Sequence, residues 1–212
     1  MDHYTLTGEY FLHPTPAGVY YATSRSTRDM SRSFLQRLLR EPETPRLSIP
    51  LVQDWTGLNE QDALEFIYRL QSSAYIQGLP VSLHAPQDSI EAVLPPLLAK
   101  LSDEGKAIVA EKRGFYIGTA GYSHEVTEEL AALGADLASV QDRHARLLHN
   151  NLRMKADGWG MINASGYSEI GFWPIYFGEE YFILVVSGQP RFNQAAFTTL
   201  VWSLGVRYGQ AD

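Results

Sequence analysis

The sequence predicts an α+β chain in two unequal halves, residues 1–86 and 87–212, and three observations carry that prediction. A Pro/Gly-rich seam, Gly78-Leu79-Pro80-Val81-Ser82-Leu83-His84-Ala85-Pro86, separates two patterned regions. Apolar residues recur at helical spacing in several stretches, while short apolar and aromatic runs between turn residues read as strands. From residue 87 the order is helix, two strands, long helix, three strands, helix.

In the first half, two aromatic-rich runs at 9–12 and 19–22 predict strands, with Pro14, Pro16 and Gly18 as turn residues between them. A helix over 29–40 places Met30, Phe34, Leu35, Leu38 and Leu39 at helical spacing, and Glu41-Pro42 stops it. Ser48 is a good N-cap for a second helix, with Pro50 in its first turn and Thr56-Gly57 as its end. Asn59 caps a third helix over 60–73, whose inward positions are Ala63, Leu64, Ile67 and Leu70. Tyr75-Ile76 and Val81-Ser82-Leu83 predict a short hairpin after it.

Helix, short helix, tight turn, helix, hairpin is the order of a winged helix. Residues 48–78 resemble that family through Ile49-Pro50-Leu51-Val52-Gln53-Asp54-Trp55-Thr56-Gly57-Leu58 followed by Asn59-Glu60-Gln61-Asp62-Ala63-Leu64. The resemblance implies DNA recognition by the third helix. That helix offers Glu60, Gln61, Asp62, Glu65, Arg69 and Gln71 on its exposed face, three carboxylates against one arginine. Such a face suits a phosphate-lined groove poorly, so DNA is disfavoured as a partner and a protein-docking or structural role is expected.

The second half begins with a helix over 89–103 carrying Ile90, Val93, Leu94, Leu97, Leu98 and Leu101 on one side; Pro95-Pro96 should kink it or reset its start. Strands follow at 106–112 and 115–122 around an Arg113-Gly114 turn. A long helix over 124–153 has a narrow apolar stripe, Val126, Leu130, Leu133, Leu137, Val140, His144 and Leu147. Beside it lies a small-residue band, Ala131, Gly134, Ala135 and Ala138, which permits close approach of another backbone; Gly134 would otherwise cost about 1 kcal/mol relative to Ala. Two stripes imply two packing surfaces. Strand-like runs at 159–164, 171–177 and 181–187 come next, with Pro174 predicting an edge position or bulge in the middle one and Gly178-Glu179-Glu180 a hairpin turn. Gln189-Pro190 starts a final helix with Phe192, Ala195, Ala196, Leu200 and Leu204.

Residues 106–121, Lys-Ala-Ile-Val-Ala-Glu-Lys-Arg-Gly-Phe-Tyr-Ile-Gly-Thr-Ala-Gly, and 128–137, Glu-Glu-Leu-Ala-Ala-Leu-Gly-Ala-Asp-Leu, resemble the roadblock (dynein light-chain roadblock, MglB-type) family. The resemblance spans residues 87–209; the winged-helix-like half lies outside it. It implies a roadblock-like α/β sandwich with a five-stranded antiparallel sheet between helices. It also implies homodimers formed through the long helix and the strand after it. Here the candidate dimer residues are Ala131, Gly134, Ala135, Ala138, Trp159 and Met161. Family members bind small Ras-like GTPases or scaffold them, and the MglB-type bacterial members stimulate a polarity GTPase. The partner-facing candidates on the long helix are Glu125, Glu128, Ala132, Asp136, Arg143 and Arg146.

Composition excludes other classes. The chain has 212 residues, 17 Lys+Arg against 24 Asp+Glu, a net charge of −7 and no cysteine. Disulfide scaffolds, thiolate metal sites and cysteine nucleophiles are therefore excluded, and a strongly cationic nucleic-acid binder is disfavoured. Both halves are acidic: residues 1–86 hold 7 basic and 9 acidic groups, residues 87–212 hold 10 and 15. The N-terminus has no secretory pattern, and the longest apolar run, 181–186, falls far short of the roughly 20 residues that span a bilayer. A cytoplasmic protein without a membrane partner is expected, and the sequon at Asn163 is read as chance.

Catalytic signals are weak. There is no Gly-x-x-x-x-Gly-Lys run and no Gly-x-Ser-x-Gly elbow; Gly158-x-Gly160 lacks a third glycine. The six histidines form no His-Glu-x-x-His frame; His144 is a candidate buried contact in the seam. Glu128-Glu129 suits a helix's opening turns and Glu179-Glu180 a solvated turn. No enzyme, no cofactor and no metal are expected. The leading expectation is a homodimeric regulator or scaffold for a small Ras-like GTPase. The competitors are a winged-helix transcriptional regulator dimerised by its second half, and a small-ligand sensor with a pocket lined by Trp159, Phe172 and Trp173.

Overall fold

The computed structural model of the chain describes residues 4–178 and 180–209. Glu179, expected in a hairpin turn, lies outside the described residues. The first part runs β1 (Phe11–Pro14), α1 (Pro16–Thr23), α2 (Met30–Leu38), α3 (Ile49–Thr56), α4 (Glu60–Ser72) and β2 (Ile76–Leu79). The three helices expected between 29 and 73 are present. Ser48 and Asn59 cap as expected, their side chains accepting from the backbone N–H groups of Leu51 and Asp62, and Asp29, expected as the first helical residue, caps α2 by accepting from Arg32 N. Gly57 ends α3 in the left-handed region, at φ 72°.

Two local expectations fail. Residues 19–22 form a helix, not a strand. Thr15 caps α1 by accepting from Gly18 N at 3.1 Å, and Pro16 occupies the first turn. A Cβ on Gly18 would collide with the Tyr75 carbonyl, so glycine lets α1 seat directly on residue 75. Cap and packing together outweigh the strand preference of Val19, Tyr20 and Tyr21. The expected hairpin of 75–76 with 81–83 is also absent. β2 pairs antiparallel with β1, from Phe11↔Leu79 to Pro14↔Ile76. Residues 83–85 run instead beside 42–44, with Thr44 N donating to Leu83 O at 2.8 Å and Ala85 N to Pro42 O at 2.9 Å.

The second part runs α5 (Ile90–Leu98), a 3₁₀ turn (Ala99–Leu101), β3 (Ala107–Glu111), β4 (Tyr116–Ala120), α6 (His124–Arg143), β5 (Trp159–Ile162), β6 (Ser168–Phe177), β7 (Glu180–Ser187) and α7 (Ala195–Tyr208). Helix α5 contains both Pro95 and Pro96 and passes into the 3₁₀ turn two residues later. Helix α6 is shorter than the expected 124–153: His144 leaves helical geometry at φ −107°, and a wider π-type turn follows over Arg146–Asn151.

The strands form one antiparallel five-stranded sheet, ordered β4-β3-β7-β6-β5. Central β7 is apolar without alternation, Tyr181 to Val186, because both its faces are covered. Ala107, Val109, Ile175, Leu184 and Val186 face α5 and α7, while Ile108, Phe172, Ile183 and Val185 face α6. Pro174 lies in an interior strand, yet the last β5 pairing is Trp159↔Phe172, so at Pro174 only β7 flanks β6. The missing N–H is tolerated there because the ladder has ended on one side.

The first sheet face belongs to a buried cluster that also holds Leu12, Phe34, Leu35, Leu39, Phe66 and Leu70, so residues on both sides of position 86 share a core. Among the described residues no helix is long and apolar enough to cross a membrane.

Candidate interaction surface

Helix α6 starts at Ser123, whose side chain accepts from Val126 N, and lies across β3, β4 and β7. At roughly 100° per residue, Thr127, Ala131, Gly134, Ala138 and Gln141 share one side. That side is against the sheet. Ala131 is fully buried, and a Cβ on Gly134 would stand 3.0 Å from Ile183 Cγ2. The small band thus seats α6 on its own sheet, and Ala131 and Gly134 are covered within the chain; Ala135 and Ala138 are half-buried. The sequence reading placed this band toward a partner helix. The large apolar side chains that α6 leaves exposed lie on a different flank.

That flank carries Val126, Leu133 and Leu147, 41%, 44% and 46% exposed, with Leu130, Leu137 and Val140 half-buried between them. Edge strand β5 adds Met161 and Ile162, 60% and 70% exposed, while Trp159 is half-buried. Large apolar groups on an unpaired edge strand mark an interaction site or an aggregation liability. On the other flank of α6, Glu125, Glu128, Ala132, Asp136 and Arg143 form a solvent-exposed polar row, with exposed Arg146 in the π-type turn. His124 Nε2 lies 3.5 Å from Glu128 within this row. Ala132 packs close to Gly114, where a Cβ would meet its Cα at 3.3 Å.

A polar cluster missed by sequence reasoning fixes the exit of α6 to β5. Asp157, its side chain 2% exposed, lies 2.8 Å from His149 Nε2. Gln141 Nε2 donates to Asp157 Oδ1 at 3.3 Å and approaches His149 Nε2 at 3.1 Å, while Trp159 Nε1 donates to Gln141 Oε1 at 2.9 Å. Burial pushes the Tyr176 and Tyr20 hydroxyls up from their usual range, and the nearby Asp157 charge adds to both. A His–Asp pair can move protons. Here the contacted His149 nitrogen is engaged by protein groups on both partners, an arrangement suited to fastening. Asp157-Gly158 carries only a turn signal in sequence, and the five-residue gap between His144 and His149 hides the outcome: His144 is exposed, not in the seam, and His149 turns in.

The three aromatic residues of the expected ligand pocket do not meet in one cavity. Trp159 and Phe172 line a crevice under α6 with Gly134 and Gln141, whereas Trp173 packs edge-on against Phe192 at 5.0 Å on the opposite sheet face. Among the described residues no group of three or more acidic or histidine side chains could hold a metal ion.

No protein-family model matches the chain, and no curated protein matches it in sequence. Among the solved structures similar to it are two bacterial proteins. A roadblock/LC7 domain from Streptomyces avermitilis is 11% identical with a TM-score of 0.36, covering 57% of this chain and 93% of its own. MglB from Myxococcus xanthus is 18% identical with a TM-score of 0.32, covering 55% of this chain and 88% of its own.

Proposed function

We propose that the chain is a non-enzymatic regulator or scaffold that dimerises along α6 and β5 and binds a small Ras-like GTPase through the polar row of α6. The observation that carries the dimer is the exposed apolar flank of α6 beside an edge strand that itself exposes Met161 and Ile162. A second copy covers both at once, since an unpaired strand edge is self-complementary when antiparallel. The GTPase is supported by the roadblock-like runs at 106–121 and 128–137. Arg143 and Arg146 offer charge to an acidic partner surface; nothing poses either as a catalytic finger.

Light scattering across micromolar concentrations tests the dimer, and a stable monomer overturns it. Mixing the protein with a small GTPase encoded near it tests the partner. A complex, with or without faster GTP hydrolysis, supports the reading; no complex and an unchanged rate overturn it. The tight α3–Gly57–α4 turn favours a second reading, a DNA-binding regulator dimerised by the same surface. Glu60, Asp62 and Glu65 on α4 oppose it, and a mobility shift absent even at low salt removes it.

A further inference from the structure

Five of the chain's 17 basic residues, Arg25, Arg28, Arg32, Arg37 and Arg40, fall within sixteen positions that contain one acid, Asp29. In a chain of net charge −7 this is a local reversal of sign. The four-residue spacing of Arg32, Gln36 and Arg40 puts them on one side of α2 and its exit. Together with Arg28, Ser26, Ser33 and Gly178 they line a largely polar cleft of about 50 Å³ between α2 and the β6–β7 turn.

Two cleft-lining arginines each hold a buried donor without an acceptor. Arg32 is 6% exposed; it donates to the Tyr21 carbonyl and lies 4.7 Å over the Tyr21 ring. Its Nε, and the buried Nε of Arg40, have no hydrogen-bond partner among the described residues. The polar groups beside them are already engaged. Asp29 approaches Arg32 Nε only to 3.6 Å, because its Oδ1 accepts from Arg32 N at 2.8 Å and its Oδ2 from Tyr21 OH at 2.9 Å. Gln36 donates to Ala22 O and Tyr176 O and accepts from Gly178 N, so its amide braces the wall. Gly209 leaves room for the Arg40 side chain, since a Cβ there would stand 3.0 Å from Arg40 Cγ. Buried guanidinium donors without acceptors are costly, and several arginines lining one cleft suit a tetrahedral oxyanion.

We propose that this cleft is a binding site for a single phosphoryl group, held by Arg32 and Arg40 with the hydroxyls of Ser26 and Ser33. The cleft's size admits one such group. A nucleic-acid strand would need a basic track that the acidic surface does not provide. A soluble phosphorylated molecule and a lipid headgroup present the same chemistry.

The test is thermal unfolding of the whole chain in sodium phosphate against sodium chloride at matched ionic strength. At roughly 20-fold excess over the dissociation constant, phosphate should raise the midpoint by about 3 °C or more. Arg40→Gln should lose that rise, while Arg37→Gln, whose guanidinium pairs with Asp54 at 3.3 Å outside the cleft, should keep it. Each variant is compared with its own chloride baseline, so a less stable Arg40→Gln does not imitate lost binding. Broadening of the phosphate ³¹P resonance by wild type, but not by Arg40→Gln, is the independent readout. Sedimentation with phosphatidylcholine vesicles containing phosphatidic acid separates the sources. Pelleting lost in Arg40→Gln assigns a lipid headgroup, and a phosphate response without pelleting assigns a soluble ligand. A midpoint that rises no more in phosphate than in chloride, or equally in Arg40→Gln, overturns the site.

Discussion

The buried polar residues set the sharpest expectations at the scale of single side chains. Asp157→Ala removes the partner of His149 and one acceptor of Gln141 at a 2% exposed position. Unsatisfied buried donors cost about 1–3 kcal/mol, so urea unfolding should register a loss of about 2 kcal/mol, whereas exposed Asp136→Ala should change little. An equal effect at both positions would refute the fastening role. His13 gives a pH prediction. Its ring packs against Trp202 with centroids 5.4 Å apart, and burial lowers its pKa below the ordinary 6.5. Below pH 6.5 the unfolded chain therefore takes up a proton that the folded chain resists. Its stabilising contribution is complete above that value and is lost as pH falls toward the lower native pKa. His13→Leu should flatten the decline in urea midpoint between about pH 7 and about pH 5; an unaltered slope would assign the decline elsewhere. Neither residue stood out in the sequence. A histidine's neighbours are set by tertiary packing, and His13 meets a tryptophan 189 positions away.

At the scale of elements, caps and periodicity were legible and surfaces were not. Ser48 and Asn59 cap where expected because an N-cap is a local interaction. The small band of α6 was visible, but its use was not, since a stripe of alanines and glycine fits a sheet as well as a helix. The steric evidence is specific: Gly134 faces Ile183. Gly134→Ala should be nearly neutral, the helix-propensity gain of about 1 kcal/mol offsetting a contact that needs a few tenths of an ångström of relief. Gly134→Leu should lose about 2 kcal/mol or more by overpacking, measured by chemical denaturation. Tolerance of leucine would place the band against solvent or a partner after all. Leu133, on the apolar flank, should behave differently. Leu133→Lys, 44% exposed in the single chain, should leave the midpoint within about 0.5 kcal/mol yet yield a monomer by light scattering. If wild type and variant have the same mass, α6 is not the contact.

The whole molecule raises the question of how independent the halves are. The seam at 78–86 was read from proline and glycine, which report a chain reversal and not the limit of a core. Across that seam Trp202 Nε1 donates to Glu41 O at 2.8 Å, and Gln36 reaches Tyr176 O at 3.1 Å. A Cβ on Gly205 would stand 2.3 Å from Leu39 O, so α7 lies directly on the end of α2. Leu94, Leu98, Phe197 and Leu200 belong to the same buried cluster as Phe34 and Leu39. Removing residues 1–86 would uncover part of that apolar face, and each large side chain so exposed forfeits about 1.5–3 kcal/mol, against a total stability of about 5–15 kcal/mol for a typical domain. The full chain should therefore unfold in one urea transition, coincident by tryptophan fluorescence and far-ultraviolet circular dichroism. The 87–212 fragment should lack native near-ultraviolet dichroism. Two separated transitions, or a fragment that folds with native stability, would show that the two halves stand independently and that the contacts joining α7 to α2 contribute little.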